Sequence, residues 1–173
     1  MTPLRSIAAL LAAAACQAAA AQTTLHETEA KAAAVFSFLQ YVDWPGARTD
    51  PLDLCVLGNP SSLLLAAQFQ GQPVKGRALA ALALDDKLSQ LARCDAVFVD
   101  SANPHDLQRV AASVRQKPVL VIAEGAQSLA LGATIALSVA GGKVSFSVNL
   151  EAARTSGLGV SSKLLRLART VIE

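Results

Sequence analysis

After residue 22 the sequence has no apolar run approaching a membrane span, no block of like charges, no internal repeat and no low-complexity linker. A spanning helix needs about 20 consecutive apolar residues, so this part of the chain supplies none. Charged residues are only 16% of the 173, and 15 basic residues nearly balance 13 acidic ones. Without a basic excess there is no electrostatic case for binding nucleic acid. Histidine occurs only as His26 and His105, in unrelated contexts, so a zinc site is not expected and no cofactor is implied. A Gly-x-Ser-x-Gly elbow is missing. So is a Walker motif: Gly71 to Gly76 with Lys75 lacks the spacing and the following Lys-Ser/Thr pair.

What is present begins with a leader. "MTPLRSIAALLAAAACQAAAAQ" has a short charged start at Arg5, an apolar stretch from residue 7 to 15, and alanines that satisfy a small-x-small cleavage rule. This is the pattern of a secretory signal peptide over residues 1–21, cut near Ala21. The competing reading is a lipoprotein signal with Cys16 as the lipidated residue, against which stands Ala13 where leucine is usual. Removing residues 1–21 takes away one basic charge, Arg5, and no acidic one, leaving a formal balance of +1. Residues 22–173 are then expected to fold as one exported, soluble domain, in the periplasm. Export also changes the meaning of the remaining cysteines. In an oxidising compartment Cys55 and Cys94 read as a disulfide, closing a loop of about forty residues for roughly 4 kcal/mol; the alternative is two buried thiols.

Periodicity organises the rest. Residues 27–44 read as a helix, with Val35, Phe38, Leu39 and Val42 on one stripe and Pro45-Gly46 as its stop. "LDLCVLG" (52–58) is a strand buried on both faces, and "NPSSLLLAAQFQG" is loop and helix. "RALAALAL" (77–84) is ambiguous, with strand preferred, and "DDKLSQLAR" is a short helix. "CDAVFVD" (94–100) and "KPVLVIAEG" are strands around a helix that opens near Pro104. Strict alternation on both sides of Gly141-Gly142 makes a β-hairpin. The expected class is α/β: a single domain with a mostly parallel sheet flanked by helices, a C-terminal hairpin and a closing helix.

The closing stretch, "NLEAARTSGLGVSSKLLRLA", places Ser161-Ser162-Lys163 after a Gly-Leu-Gly break. Adjacent helical residues point about 100° apart, so Ser162 and Lys163 do not face each other. The Ser-x-x-Lys spacing would need serine where Val160 stands. Capping explains the residues instead. Gly157 suits a left-handed helix end, Ser161 or Ser162 an N-cap, and Val160, Leu164, Leu167, Ala168 and Val171 an apolar helix face. Lys163, Arg166 and Arg169 form the opposite stripe, a solvated face or a contact for an acidic partner. His105 beside Asp106 reads as helix-start chemistry, and Asp85-Asp86 as a turn. Trp44 is core or a binding anchor. No constellation specifies a reaction, so the expectation is a protein that is not an enzyme.

The segments "KAAAVFSFLQYVDWP", "LDLCVLG", "CDAVFVD", "KVSFSVNL" and "AARTSGLGVSSKLLRLA" together resemble the YfiR/HmsC-like family of exported bacterial proteins, over roughly residues 27–171. The most specific part is the closing stretch, with Asn149, Gly157, Ser161, Ser162, Lys163, Leu164 and Leu165 where the family pattern has them; Trp44-Pro45 fits as well. The resemblance implies a periplasmic α/β regulator. It would bind the sensor domain of an inner-membrane diguanylate cyclase and restrain it, lowering cyclic di-GMP and biofilm formation. An OmpA-like outer-membrane lipoprotein relieves that restraint in better-known members, and homodimers are expected. Cys55 and Cys94 match the family's disulfide cysteines, whereas a second pair found in some members has no counterpart here.

On this reading Trp44 and the Lys163/Arg166/Arg169 stripe are the partner-binding candidates. The rival is a periplasmic small-ligand receptor. Its crevice would lie beyond the carboxyl ends of the strands, between Gly58-Asn59-Pro60-Ser61 and Asp100-Ser101-Ala102-Asn103. A hydrolase using His105 requires a serine or carboxylate within its reach.

Overall fold

Residues 26–46 and 48–173 are described by a computed structural model, and a twisted eight-stranded sheet forms their centre. The proposed signal peptide, with Cys16, lies outside the described residues. Helix α1 (26–40) precedes the short strand β1 (Val42–Asp43). Then come β2 (Leu52–Gly58), α2 (Pro60–Ala66), β3 (Pro73–Val74), β4 (Arg77–Ala83), β5 (Ala96–Asp100) and α3 (Pro104–Ser113). β6 (Leu120–Glu124), the hairpin of β7 (Ile135–Ala140) and β8 (Lys143–Asn149), and α4 (Leu150–Thr155) follow. The chain closes with β9 (Gly159–Val160), α5 (Ser162–Leu167) and β10 (Thr170–Ile172).

The sheet order is β10-β8-β7-β6-β5-β2-β4-β3. Neighbours are parallel except at β7–β8 and at β3–β4. Unbroken apolar runs are what a strand covered on both faces requires, and alternate residues enter two separate cores. Leu54, Val56, Phe98 and Ile122 join α1 and Ala66 of α2 on one side. Cys55, Leu57, Val97, Val99 and Val121 join Leu107 and Val110 of α3 on the other. The predicted stripe Val35, Phe38, Leu39 and Val42 is buried throughout, each side chain contributing roughly 1.5–3 kcal/mol.

Cys55 and Cys94 are joined, with Cα atoms 5.8 Å apart and a sequence separation of 39. The bond lies in the second core and ties β2 to the entry of β5. It fits an oxidising compartment.

Three elements depart from the sequence reading. The first helix stops at residue 40 rather than 44, because Val42 and Asp43 pair antiparallel with Val160 and Gly159, and Ser161 N–H donates to Tyr41 O at 2.9 Å. The segment after β4 forms no α-helix. Asp85 takes both the N–H (2.8 Å) and the hydroxyl (2.9 Å) of Ser89, a local alternative to helix. Only a 3₁₀ turn, Leu91–Arg93, remains before Cys94. The closing helix ends at Leu167. Leu164 is buried as expected, but Leu167 is exposed and Val171 lies in β10. Thr170, Val171 and Ile172 are good strand formers, and the free side of β8 offers them hydrogen bonds that no further helical turn could match.

Candidate functional site

At the carboxyl ends of β2 and β5, where the connections diverge to opposite faces, the two segments expected to flank a crevice touch each other. Gly58 has φ +108°, and a Cβ there would run into the Asp100 carbonyl oxygen. The next N–H, of Asn59, donates to that same oxygen at 3.0 Å. Asn59 and Asn103, both exposed, are the N-caps of α2 and α3, each followed by proline in the first turn. Asp100 accepts from the buried Ser62 hydroxyl. Lys31 of α1 reaches the carboxyl ends of β6 and β5, 2.6 Å from Glu124 and 3.9 Å from Asp100. Asn59, Asn103 and Asp100, predicted to line a ligand crevice, thus each already have a hydrogen-bond partner within the chain. Two surface grooves, of about 660 and 530 Å³, are lined by other segments. His105 Nδ1 meets Gln108 Oε1 at 3.3 Å, while Asp106 is held by Ser101 (2.6 Å) and Arg109 (3.6 Å).

At the amino ends of the strands lies a network the sequence reading missed. Asp95, 2% exposed, receives Arg77 and Arg48, each at 2.6 Å, and the Asp53 N–H at 3.0 Å. Arg77, 6% exposed, also donates to the carbonyls of Asp50 (2.8 Å) and Pro51 (2.7 Å). Arg93 reaches Asp53 at 2.9 Å. Arg48 further binds Asp50, whose carboxyl is held below the usual aspartate range by that hydrogen bond; the same bond raises the Arg48 guanidinium. Trp44 is half-buried against the first core, and its indole N–H donates to Asp95 O at 2.9 Å. Its polar edge is thus already occupied. Residues 48 and 53, residue 77, and residues 93 and 95 come from three segments, and no spacing rule joins them. A charge at the start of a buried strand, as at Arg77, and another beside Cys94, as at Asp95, were the available signals.

The third region is built from the closing stretch. Asn149 caps α4 by accepting from Ala152 N–H at 2.8 Å. Gly157, at φ +71°, ends that helix, and a Cβ on it would sit 3.9 Å from the ring of Pro45. Ser161 caps α5 through Lys163 N–H at 3.3 Å, and Leu164 fills the core. Ser162 is the first residue of α5 and faces solvent. The β1–β9 ribbon thereby brings Trp44-Pro45 against the Gly157 turn, so the two most specific segments of the resemblance meet in space. Their capping and packing roles account for Asn149, Gly157, Ser161 and Leu164.

Lys163 and Arg166 stand exposed on α5, and Arg169 follows in the bend that leads to β10. Arg169 is not on the helix as predicted: its N–H donates to Phe146 O at 2.8 Å. Like Lys143 of β8, these side chains have no acidic partner among the described residues. The arrangement can attract an anionic surface; it has no nucleophile–base pair.

A protein-family profile described as YfiR/HmsC-like matches residues 28–169. Among solved structures, the crystal structure of a conserved domain protein from Vibrio cholerae O1 biovar El Tor str. N16961 is similar, with a TM-score of 0.50 at 16% identity. The match covers 69% of this chain and 54% of that one, so the chain spans about half the length of that solved protein. At this identity the likeness is one of fold.

Proposed function

Since the chain belongs to the YfiR/HmsC-like family, we propose that it is a non-enzymatic periplasmic regulator in cyclic di-GMP signalling. On this reading the signal peptide at residues 1–21 is cleaved, and the protein binds the periplasmic sensor domain of an inner-membrane diguanylate cyclase. It restrains the enzyme by population shift. To hold the receptor off, it must bind the inactive conformation more tightly than the active one, by about 5.5 kcal/mol to move a 1:99 mixture to 99:1. Lower cyclic di-GMP and weaker biofilm formation follow. An OmpA-like outer-membrane lipoprotein would relieve the restraint, and the regulator would act as a homodimer.

The observation that carries this reading is the family match over residues 28–169. It is supported by the use of the closing motif in caps and turns, and by basic side chains left without acidic partners. The receptor alternative is weakened by the contact between the Gly58-Asn59 and Asp100 segments. Deleting the gene tests the proposal: cellular cyclic di-GMP and surface attachment should rise. Unchanged levels in the deletion strain would defeat it, and tight binding of a small periplasmic solute by the purified protein would then favour the receptor.

A further inference from the structure

A groove of about 660 Å³ opens on the second-core face, between α3, the turn before β7 and the start of α4. That volume is in the range of small-ligand sites, about 300–1,000 Å³. Strand register places its floor. Ile122 pairs with Ile135 and Ile135 with Val148, and all three enter the first core. Side chains alternate between faces, so Val121, Thr134 and Asn149 stand side by side on the other face. Thr134 N–H donates to Val121 O at 2.8 Å, and Asn149 N–H to Thr134 O at 2.9 Å. Gln108, Ala111 and Ala112 of α3 form one wall, with Arg115 just past the helix, and Glu151 and Ala152 of α4 form another. A Cβ on Gly132 would stand 2.6 Å from the Ala111 Cβ, so only glycine lets the turn approach α3 this closely.

The polar groups at the floor are neutral. Thr134 is 3% exposed, and its hydroxyl has no hydrogen-bond partner among the described residues. No fully buried side-chain oxygen there lacks a partner, so this hydroxyl is reached from the groove. Asn149 uses its Oδ1 for Ala152 N–H at 2.8 Å, and its amide N–H groups keep no such partner. The charges stand at the rim. Arg115 and Glu151 are exposed, and neither forms an ion pair among the described residues.

This distribution selects a ligand class. An apolar occupant would take water from the Thr134 hydroxyl and the Asn149 amide without replacing its hydrogen bonds. A free amino acid or a phosphate ester would need its charges met away from water, yet the lining's one cation and one carboxylate are both in solvent, where pairing is weak. Among the described residues no aromatic ring lines the groove, so a nucleobase has nothing to stack on. Hydroxyl groups both donate and accept, and the C–H faces of a polyol suit alanine and valine walls. We propose that this groove binds a small neutral sugar of one or two rings, with Thr134 and Asn149 bonding its hydroxyls at the floor and Gln108 at the wall. Asn149 also caps α4, so the occupant touches the helix that leads into the Gly157 turn. The proposal goes beyond the regulatory reading and does not rest on it.

The test is an NMR titration of the intact oxidised protein with glucose, galactose, maltose and trehalose in separate runs, with L-alanine and inorganic phosphate as controls. At least one sugar should shift the Ala112, Thr134 and Asn149 amide signals to saturation, with a Kd of about 1 mM or tighter, and the controls should leave them unchanged. Thr134→Val keeps the shape and removes the hydroxyl. It should weaken that binding about tenfold, while the melting temperature of the sugar-free protein holds or rises, because no hydrogen bond within the chain is lost. Arg115→Gln should change the affinity by less than about threefold. The proposal is overturned if none of the four sugars binds, if alanine or phosphate binds as tightly, or if Thr134→Val binds like the parent protein. A lower melting temperature for Thr134→Val would show the hydroxyl bonded within the chain, and overturns it too. Gene deletion decides the regulatory reading separately. If deletion changes nothing and a sugar binds, the regulator falls and the groove stands; if deletion raises cyclic di-GMP and no sugar binds, the regulator stands and the groove falls.

Discussion

At the amino ends of β2, β4 and β5, Arg48, Arg77 and Arg93 each end on an aspartate of the same chain. Along α5 and the approach to β10, Lys163, Arg166 and Arg169 stand exposed, with no such partner among the described residues. The difference follows from burial. Burying a guanidinium without a counter-charge and filled hydrogen bonds costs several kcal/mol, so Arg77, 6% exposed, is tied into the architecture. A cation in water has no such need and stays available to an outside anion. The same contrast separates the two partner-binding candidates. Trp44 directs its N–H inward to the first region, whereas the basic stripe faces out from the second.

Breaking the first region should have the largest effect. Arg77→Ala leaves the buried Asp95 carboxylate with Arg48 as its one counter-charge, beside the Asp53 N–H, and should cost about 3–5 kcal/mol of unfolding free energy in urea titration. A loss under about 1 kcal/mol would place the network among ordinary surface pairs. Next is the covalent tie beside it. Replacing Cys55 and Cys94 with alanine, or reducing the bond, should remove up to about 4 kcal/mol; an unchanged melting temperature under reductant would contradict the bridge. Trp44→Phe keeps the apolar ring but deletes the donor to Asp95 O, and should cost about 1–2 kcal/mol. If this variant instead kept its stability and lost partner binding, Trp44 would be an anchor. The smallest stability effect belongs to Arg166→Glu with Arg169→Glu, within about 0.5 kcal/mol by thermal melting. That variant sharpens the comparison: if the stripe carries the partner contact, binding is lost while the fold is kept.

Much of the fold was legible because it rests on local patterns. The 52–58 strand, the paired runs around Gly141-Gly142, and the proline-opened helix at 104 each carry their signal within about ten residues. The closing helix was misjudged because spacing of i, i+4, i+7 and i+8 counts apolar positions without knowing what lies beside them. Val171 met the free side of β8, and Leu167 was left in water. The end of the first helix failed similarly, since Val42 continues the helical stripe but its backbone finds Val160. Of the candidate site, the basic stripe could be read as charge, yet its setting beside an open strand edge could not.

By itself the sequence determined that this chain makes an α/β layer with two cores, because runs such as "LDLCVLG" have apolar side chains on both faces of a strand whatever they pair with. It also determined the caps, since Asn149, Gly157 and Ser161 act on backbone groups only two or three residues away. Tertiary structure alone decided that Asp95 gathers Arg48 and Arg77 from distant segments, that the carboxyl ends of β2 and β5 lie side by side, and that β10 is an edge. Those outcomes depend on which distant groups arrive at the same place, and desolvation sets that energy only after the strands have taken their order.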